Sequence, residues 1–138
     1  MEARIEVHGL RDFQRELKNL DSELPRQLRV VNMKAAELVA SDARTRASSA
    51  GGALGKAAPS IKALGQQRSA AVRIGGNRYP FALGGEFGST QFRQFKPWRG
   101  SGSDAGYALY PAVRANRDRV VELYGDLLDA LARQAFPN

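Results

Sequence analysis

A chain of 138 residues lies inside the usual single-domain range of about 100 to 200, and its 43% apolar and 25% charged residues are a globular composition that excludes wholesale disorder. It has no cysteine, which excludes a disulfide framework, a zinc knuckle and a thiol nucleophile. No apolar run approaches the roughly 20 residues that span a bilayer, and MEARIEV does not open a basic-then-apolar leader, so a soluble chain made in the cytoplasm is expected.

The net charge of +7 is unevenly placed. Residues 1 to 40 hold seven basic and seven acidic side chains, and residues 101 to 138 hold four against five. Residues 41 to 100 carry ten cations (Arg44, Arg46, Lys56, Lys62, Arg68, Arg73, Arg78, Arg93, Lys96, Arg99) against only Asp42 and Glu86, a local excess of +8. That middle attracts a polyanion or an acidic partner surface, while the two ends read as solvated scaffold.

In chain order, Ala3 to Val7 sets Ile5 and Val7 against Arg4 and Glu6, the period-2 alternation of a short half-buried strand. After Gly9, the spacing of Leu10, Phe13, Leu17 and Leu20 predicts a short amphipathic helix. Asp21 or Ser22 can cap a second helix with Pro25 in its first turn. Leu24, Leu28, Val31, Ala35 and Leu38 carry that helix forward to about Ala47, a length of roughly 40 Å at 1.5 Å per residue. Ser48 to Pro59 is small, glycine-rich and aperiodic, and reads as a flexible connection.

Ile61 to Gln67 fits neither period. Ala70 to Ile74 and Tyr79 to Phe87 predict a β-hairpin turning at Gly75-Gly76-Asn77-Arg78. Pro80 places the second strand at an edge or bulge, and Gly84-Gly85 marks a bulge or a close backbone approach. Gly88 to Gly106 has no period and reads as a long functional loop. A helix from about Pro111 to Ala135 closes the chain, burying Val113, Val120, Tyr124, Leu127 and Leu131, with Val121 and Leu128 widening the face. The expected fold is α+β: one domain over residues 1–138, with a small antiparallel β-sheet packed against two long α-helices and a long basic, aromatic loop.

Few residues invite chemistry. Gly51 to Lys56 (GGALGK) superficially looks like a phosphate loop, but its glycine spacing is one residue short, Ala57 stands where a hydroxyl is needed, and a helix precedes it; a linker is the better reading. His8 is the single histidine, so a His-based acid–base pair, a Ser-His triad or a multi-histidine metal site cannot form within one chain. Glu86, in GGEFGS, has no second carboxylate near it in sequence, and an ion pair with a neighbouring arginine is its expected role. No cofactor and no catalytic residue are expected.

Phe92, Phe95 and Trp98 interleave with Arg93, Lys96 and Arg99. This pattern suits a single-strand platform in which rings stack on bases, or anchors that are buried when the loop docks on a neighbouring subunit. Docking is the preferred reading, because an aromatic loop left exposed on a monomer is an aggregation hazard.

Beyond composition, an order of segments stands out: an opening strand with Gly-Leu (Val7 to Leu10), a long alanine-rich helix, Ala58-Pro59-Ser60-Ile61, a basic strand, and Tyr79-Pro80-Phe81-Ala82 leading to Glu86-Phe87-Gly88. It resembles the tail-completion, or head-to-tail joining (neck), proteins of long-tailed double-stranded DNA bacteriophages, over nearly the whole chain. Phe95, Lys96, Pro97 and Trp98 then fall in that family's variable loop. The Thr-Gly-x-Leu element that often follows the proline there is replaced by Ser60-Ile61-Lys62-Ala63-Leu64.

The resemblance implies a non-enzymatic virion protein, a homo-oligomeric ring, commonly a hexamer. The ring would contact neighbouring connector and tail-tube proteins and, weakly and without sequence preference, the double-stranded DNA that crosses it. Phe87, Phe92, Phe95 and Trp98 are then expected at the subunit interface, and Arg68, Arg73, Arg93, Lys96 and Arg99 along the DNA channel. The alternative is a small basic, sequence-independent nucleic-acid-binding protein, disfavoured because no helix gathers its cations on one face. A hydrolase stands further off, lacking a constellation of candidate residues.

Overall fold

The computed structural model describes residues 2–5 and 24–135; His8, the predicted helix of Leu10 to Leu20 and its neighbours Asp21 and Ser22 lie outside them. Leu24–Ala50 forms α1, a helix of 27 residues and thus about 40 Å. Ala35, Ala36, Val39, Ala40, Ala43 and Ala47 are fully buried along its inner side. Alanine loses no side-chain entropy on burial and adds little bulk, so neighbouring backbones come close. Opposite α1, a Cβ added to Gly65 would lie 2.6 Å from the Met33 backbone, so only glycine fits there.

Three antiparallel strands pack on α1: β1 (Glu2–Ile5), β2 (Lys62–Gly65) and β3 (Ala70–Arg73), in the order β1-β3-β2. Central β3 pairs Arg73 with Glu2 on one side and with Lys62 on the other. The fold is α+β, with a small antiparallel sheet and two long helices. Leu54, Ile61, Val72, Ile74, Leu109, Val120 and Tyr124 fill the core beside the alanines.

Several local expectations are corrected. The stretch read as a flexible linker is structured: α1 runs on to Ala50, α2 occupies Gly52–Ala57, and a 3-10 turn follows at Ala58–Ser60. Gly51, at φ 69° and ψ −165°, takes a backbone conformation open essentially to glycine alone and ends α1. Six residues are too few to show a helical period, yet Leu54 is buried and anchors α2.

β3 pairs with β2 rather than with Tyr79 to Phe87, around a turn closed by the Gln66 amide donating to the Ser69 carbonyl at 2.9 Å. Ala82–Phe87 is instead a helix, α3. Gly84 and Gly85 serve the close approach, not a bulge: an added Cβ would lie 2.5 Å from the Phe95 ring at Gly84 and 3.1 Å from the Leu54 backbone at Gly85.

The closing helix is divided into α4 (Leu109–Ala115) and α5 (Arg117–Ala135). Asn116 makes the break, its Nδ2 donating to the Ala112 carbonyl at 2.8 Å and to Asp42 of α1 at 2.7 Å. Val120, Tyr124 and Leu131 are buried as their spacing predicts, but Val121 stands 63% exposed and Leu123 packs on the core in its stead. Buried Asn32 joins α1 to both neighbours: its Nδ2 donates to the Gln66 carbonyl, and its Oδ1 accepts from the Tyr124 hydroxyl. Burial pushes that hydroxyl's pKa up to about 12.

Candidate functional site

Residues 88–106 leave α3 and return to α4, and one side chain fixes both ends of that excursion. The Leu109 and Tyr110 amides of the first turn of α4 have no partner within the helix, Pro111 has no amide hydrogen, and Ala108 supplies no side-chain cap. Glu86 of α3 fills the gap from a fully buried position. Its Oε1 accepts from the Ala108 and Leu109 amides at 3.2 and 2.8 Å, and its Oε2 from those of Tyr107 and Tyr110 at 3.2 Å each.

The expected arginine partner is therefore replaced. Among the described residues no arginine pairs with Glu86, because backbone amides at a helix N-terminus already supply positive potential. Desolvation pushes the Glu86 carboxyl above the usual carboxylate range, and the four amides act in the opposite direction. A Cβ at Gly106 would fall 2.2 Å from the carboxylate, so the chain passes Glu86 at a distance only glycine allows.

The loop is braced along its length. The Ser89 amide donates to the Lys96 carbonyl, and the Ser89 hydroxyl oxygen accepts from the Gln91 and Phe92 amides. The Arg99 amide donates to the Phe87 carbonyl at 2.6 Å, the Gly106 amide to the Arg99 carbonyl, and the Tyr107 hydroxyl to the Pro97 carbonyl. Gly88, at φ 77°, passes so close to Pro97 that an added Cβ would lie 2.2 Å from its carbonyl oxygen.

These braces sort the four aromatics expected at an interface. Phe95 lies half-buried against Gly84, and Phe87 packs on Tyr110 and Trp98 with ring centroids 5.4 and 6.2 Å apart. Both serve the chain's own packing. Phe92 and Trp98 stay 56% and 55% exposed.

The five cations expected along a channel occupy three places. Arg68 sits in the β2–β3 turn and Arg73 at the far end of β3. Arg93 and Lys96 line a small groove of about 220 Å³ beside α2, while Lys96 and Arg99 lie 5.2 and 4.9 Å from the centre of the Tyr107 ring. Arg99 also donates through Nε to the Asp104 carbonyl at 2.9 Å. A grouping that sequence spacing did not suggest is Lys62, Arg73 and Arg78, which share one groove.

Among the described residues, no three His, Cys, Asp or Glu side chains gather as a metal site, and no helix is long and apolar enough to cross a membrane. Comparison of the chain with protein-family models, curated proteins and solved structures yields no match to any of them.

Proposed function

We propose that this chain is a non-enzymatic structural subunit of the head-to-tail joining region of a long-tailed bacteriophage, one copy in a ring that double-stranded DNA crosses. The observation carrying the reading is the pair Phe92 and Trp98, each more than half exposed on a loop that the chain's own hydrogen bonds hold in place. Exposed aromatics on a pre-shaped loop lose little conformational freedom on contact, which is what an assembly surface needs. The buried carboxylate Glu86 is occupied by backbone amides and so belongs to scaffold rather than to acid–base chemistry.

A second surface favours a ring over a two-fold dimer. Asp118, Glu122, Asp126 and Asp129 are exposed and recur at helical spacing along one stripe of α5. A basic aromatic loop and an acidic stripe are different patches of one chain, and contact between different patches is head-to-tail, closing into a ring when the rotation permits. The fold and the segment order that resembles the neck proteins support the same reading.

Mass photometry over a concentration series tests it. The wild type should form a closed oligomer, and Phe92→Ala with Trp98→Ala should dissociate it to a monomer that keeps the wild-type circular dichroism and a cooperative melt. A wild type that stays monomeric at every concentration, alone and with connector and tail-tube proteins, overturns the reading.

A further inference from the structure

We propose that the groove between α1 and α5 is the receptor for the 88–106 loop of a second copy of this chain, taking its Phe92 and Trp98 rings. The inference rests on the ring reading and says where one subunit grips the next. The groove measures about 650 Å³, within the range of pockets that take an organic ligand, and its described lining comes from these two helices alone. Half-buried Leu38 and Leu123, packed on the core, form its apolar floor, and Glu37, Glu122 and Asp126 stand exposed around them.

Charge decides which partner fits. Asp118, Glu122, Asp126 and Asp129 follow one another at spacings of four, four and three on α5, so like charges are neighbours on that face and repel. Glu37 is bound to Arg44, but neither Glu122 nor Asp126 has a hydrogen bond or ion pair among the described residues. The loop offers the opposite sign: Arg93, Lys96 and Arg99 interleave with the two rings, and no carboxylate interrupts residues 88–103. The groove's own cations, Lys34 and Arg119, suit the rings themselves, with aliphatic stems for their edges and a positive head for their faces.

A second copy is the occupant because the loop is held elsewhere in its own chain. Phe95 is seated against Gly84 of α3, Arg93 and Lys96 line the groove beside α2, and the loop's hydrogen bonds keep it there. No loop residue lines the groove between α1 and α5. A loop already shaped loses little freedom on docking. Loop into groove also joins two different patches, the head-to-tail geometry that leaves a free groove and a free loop for the next copies.

The test uses Trp98, the one tryptophan of the chain. A donor, Glu122→Lys with Asp126→Lys, keeps the loop and spoils the groove. An acceptor, Phe92→Ala with Trp98→Ala, keeps the groove and has no tryptophan. Both change exposed side chains and should retain the wild-type circular dichroism. Titrating acceptor into donor should shift Trp98 emission to shorter wavelength and saturate at one to one, and sedimentation should show a dimer that grows no further. Adding Glu122→Gln with Asp126→Asn to the acceptor should weaken the titration about fivefold, and raised salt should weaken it as well. With no substitution at all, wild-type Trp98 emission should make the same shift as concentration carries the chain from monomer to oligomer.

Unchanged emission on titration, while the wild type still forms a closed oligomer, would overturn the groove and leave the ring to another surface. Equal titration by an acceptor that also carries Glu122→Lys with Asp126→Lys would overturn it too, because the rings would then be docking elsewhere. Quenching of Trp98 by single-stranded oligothymidine, with no response to the acceptor, would assign the rings to nucleic acid. A one-to-one donor and acceptor pair beside a wild type that grows into open chains of no fixed size refutes the closed ring alone.

Discussion

The two halves of this molecule fix their backbones by opposite means. Where α1 meets β2 and β3, order comes from many small apolar contacts: a file of buried alanines, Val72, Ile61 and a glycine that admits the neighbouring helix. Where α3, the 88–106 loop and α4 meet, order is concentrated in one buried carboxylate and a few backbone hydrogen bonds. The first arrangement spreads its stability over many residues, and the second concentrates much of it in one side chain, Glu86. Phe92 and Trp98 stay more than half exposed and add little apolar burial to that loop, and a polar hub supplies much of its order.

Glu86→Ala should be the most damaging single change, because it orphans four buried or half-buried amides at once. A loss of about 4 kcal/mol follows from unsatisfied donors worth about 1 to 3 kcal/mol each with partial rehydration. Chemical denaturation measures it, and a loss below about 1 kcal/mol would show that the amides find other partners. Glu86→Gln keeps the shape but points an NH₂ at N–H donors, and should fall between the two.

The distributed half is probed by Gly65→Ala, which drives a methyl into the Met33 backbone and should cost about 1 to 3 kcal/mol by overpacking. Unlike Glu86→Ala it should leave the loop's own protection unchanged relative to the global value. Loss of the loop before the helix–sheet half in this variant would erase the distinction between the halves.

The smallest effect belongs to Tyr124→Phe, which removes a hydroxyl donor to Asn32 and should cost about 1 kcal/mol at neutral pH. Its pH dependence is more informative. Burial raises the folded pKa from 10.0 to about 12, so between these values the folded chain retains a proton that the unfolded chain has released. Stability from the neutral hydroxyl is complete below pH 10 and declines as pH rises toward 12, a decline absent from the variant. The gap between the two proteins should therefore close and reverse across that window; a constant gap would contradict the burial.

The same contrast decides what the sequence discloses. The long helix and the buried face of Val120, Tyr124 and Leu131 follow from periodic apolar burial, which leaves its spacing in the chain, while strand Ala70–Arg73 is marked by a short apolar run that stops before Gly75-Gly76. Residues 52–57 were hidden because a six-residue helix completes too few turns to display a period. Tyr79 to Phe87 misled because Gly84 and Gly85 look like strand punctuation, whereas each makes room for a side chain or backbone far away in sequence.

Glu86 stands out in the sequence, but its partners are amides 21 to 24 residues downstream, and amides carry no residue-specific signal. Its usable signs were Gly106 and Pro111, a close passage and a first helical turn without its own cap. The Lys62, Arg73 and Arg78 groove was invisible for a similar reason, since it depends on which strand lies beside β3.

The most direct test of this account is amide hydrogen exchange at a concentration where the chain is monomeric, read at Arg99, Gly106, Leu109 and Tyr110 in the wild type and in Glu86→Ala. The account predicts that these amides are protected together before any assembly, and that the substitution releases them as a group while the β2–β3 amides remain the slower set. Rapid exchange at all four sites in the wild-type monomer would contradict it, because the loop would then take its shape only from a partner.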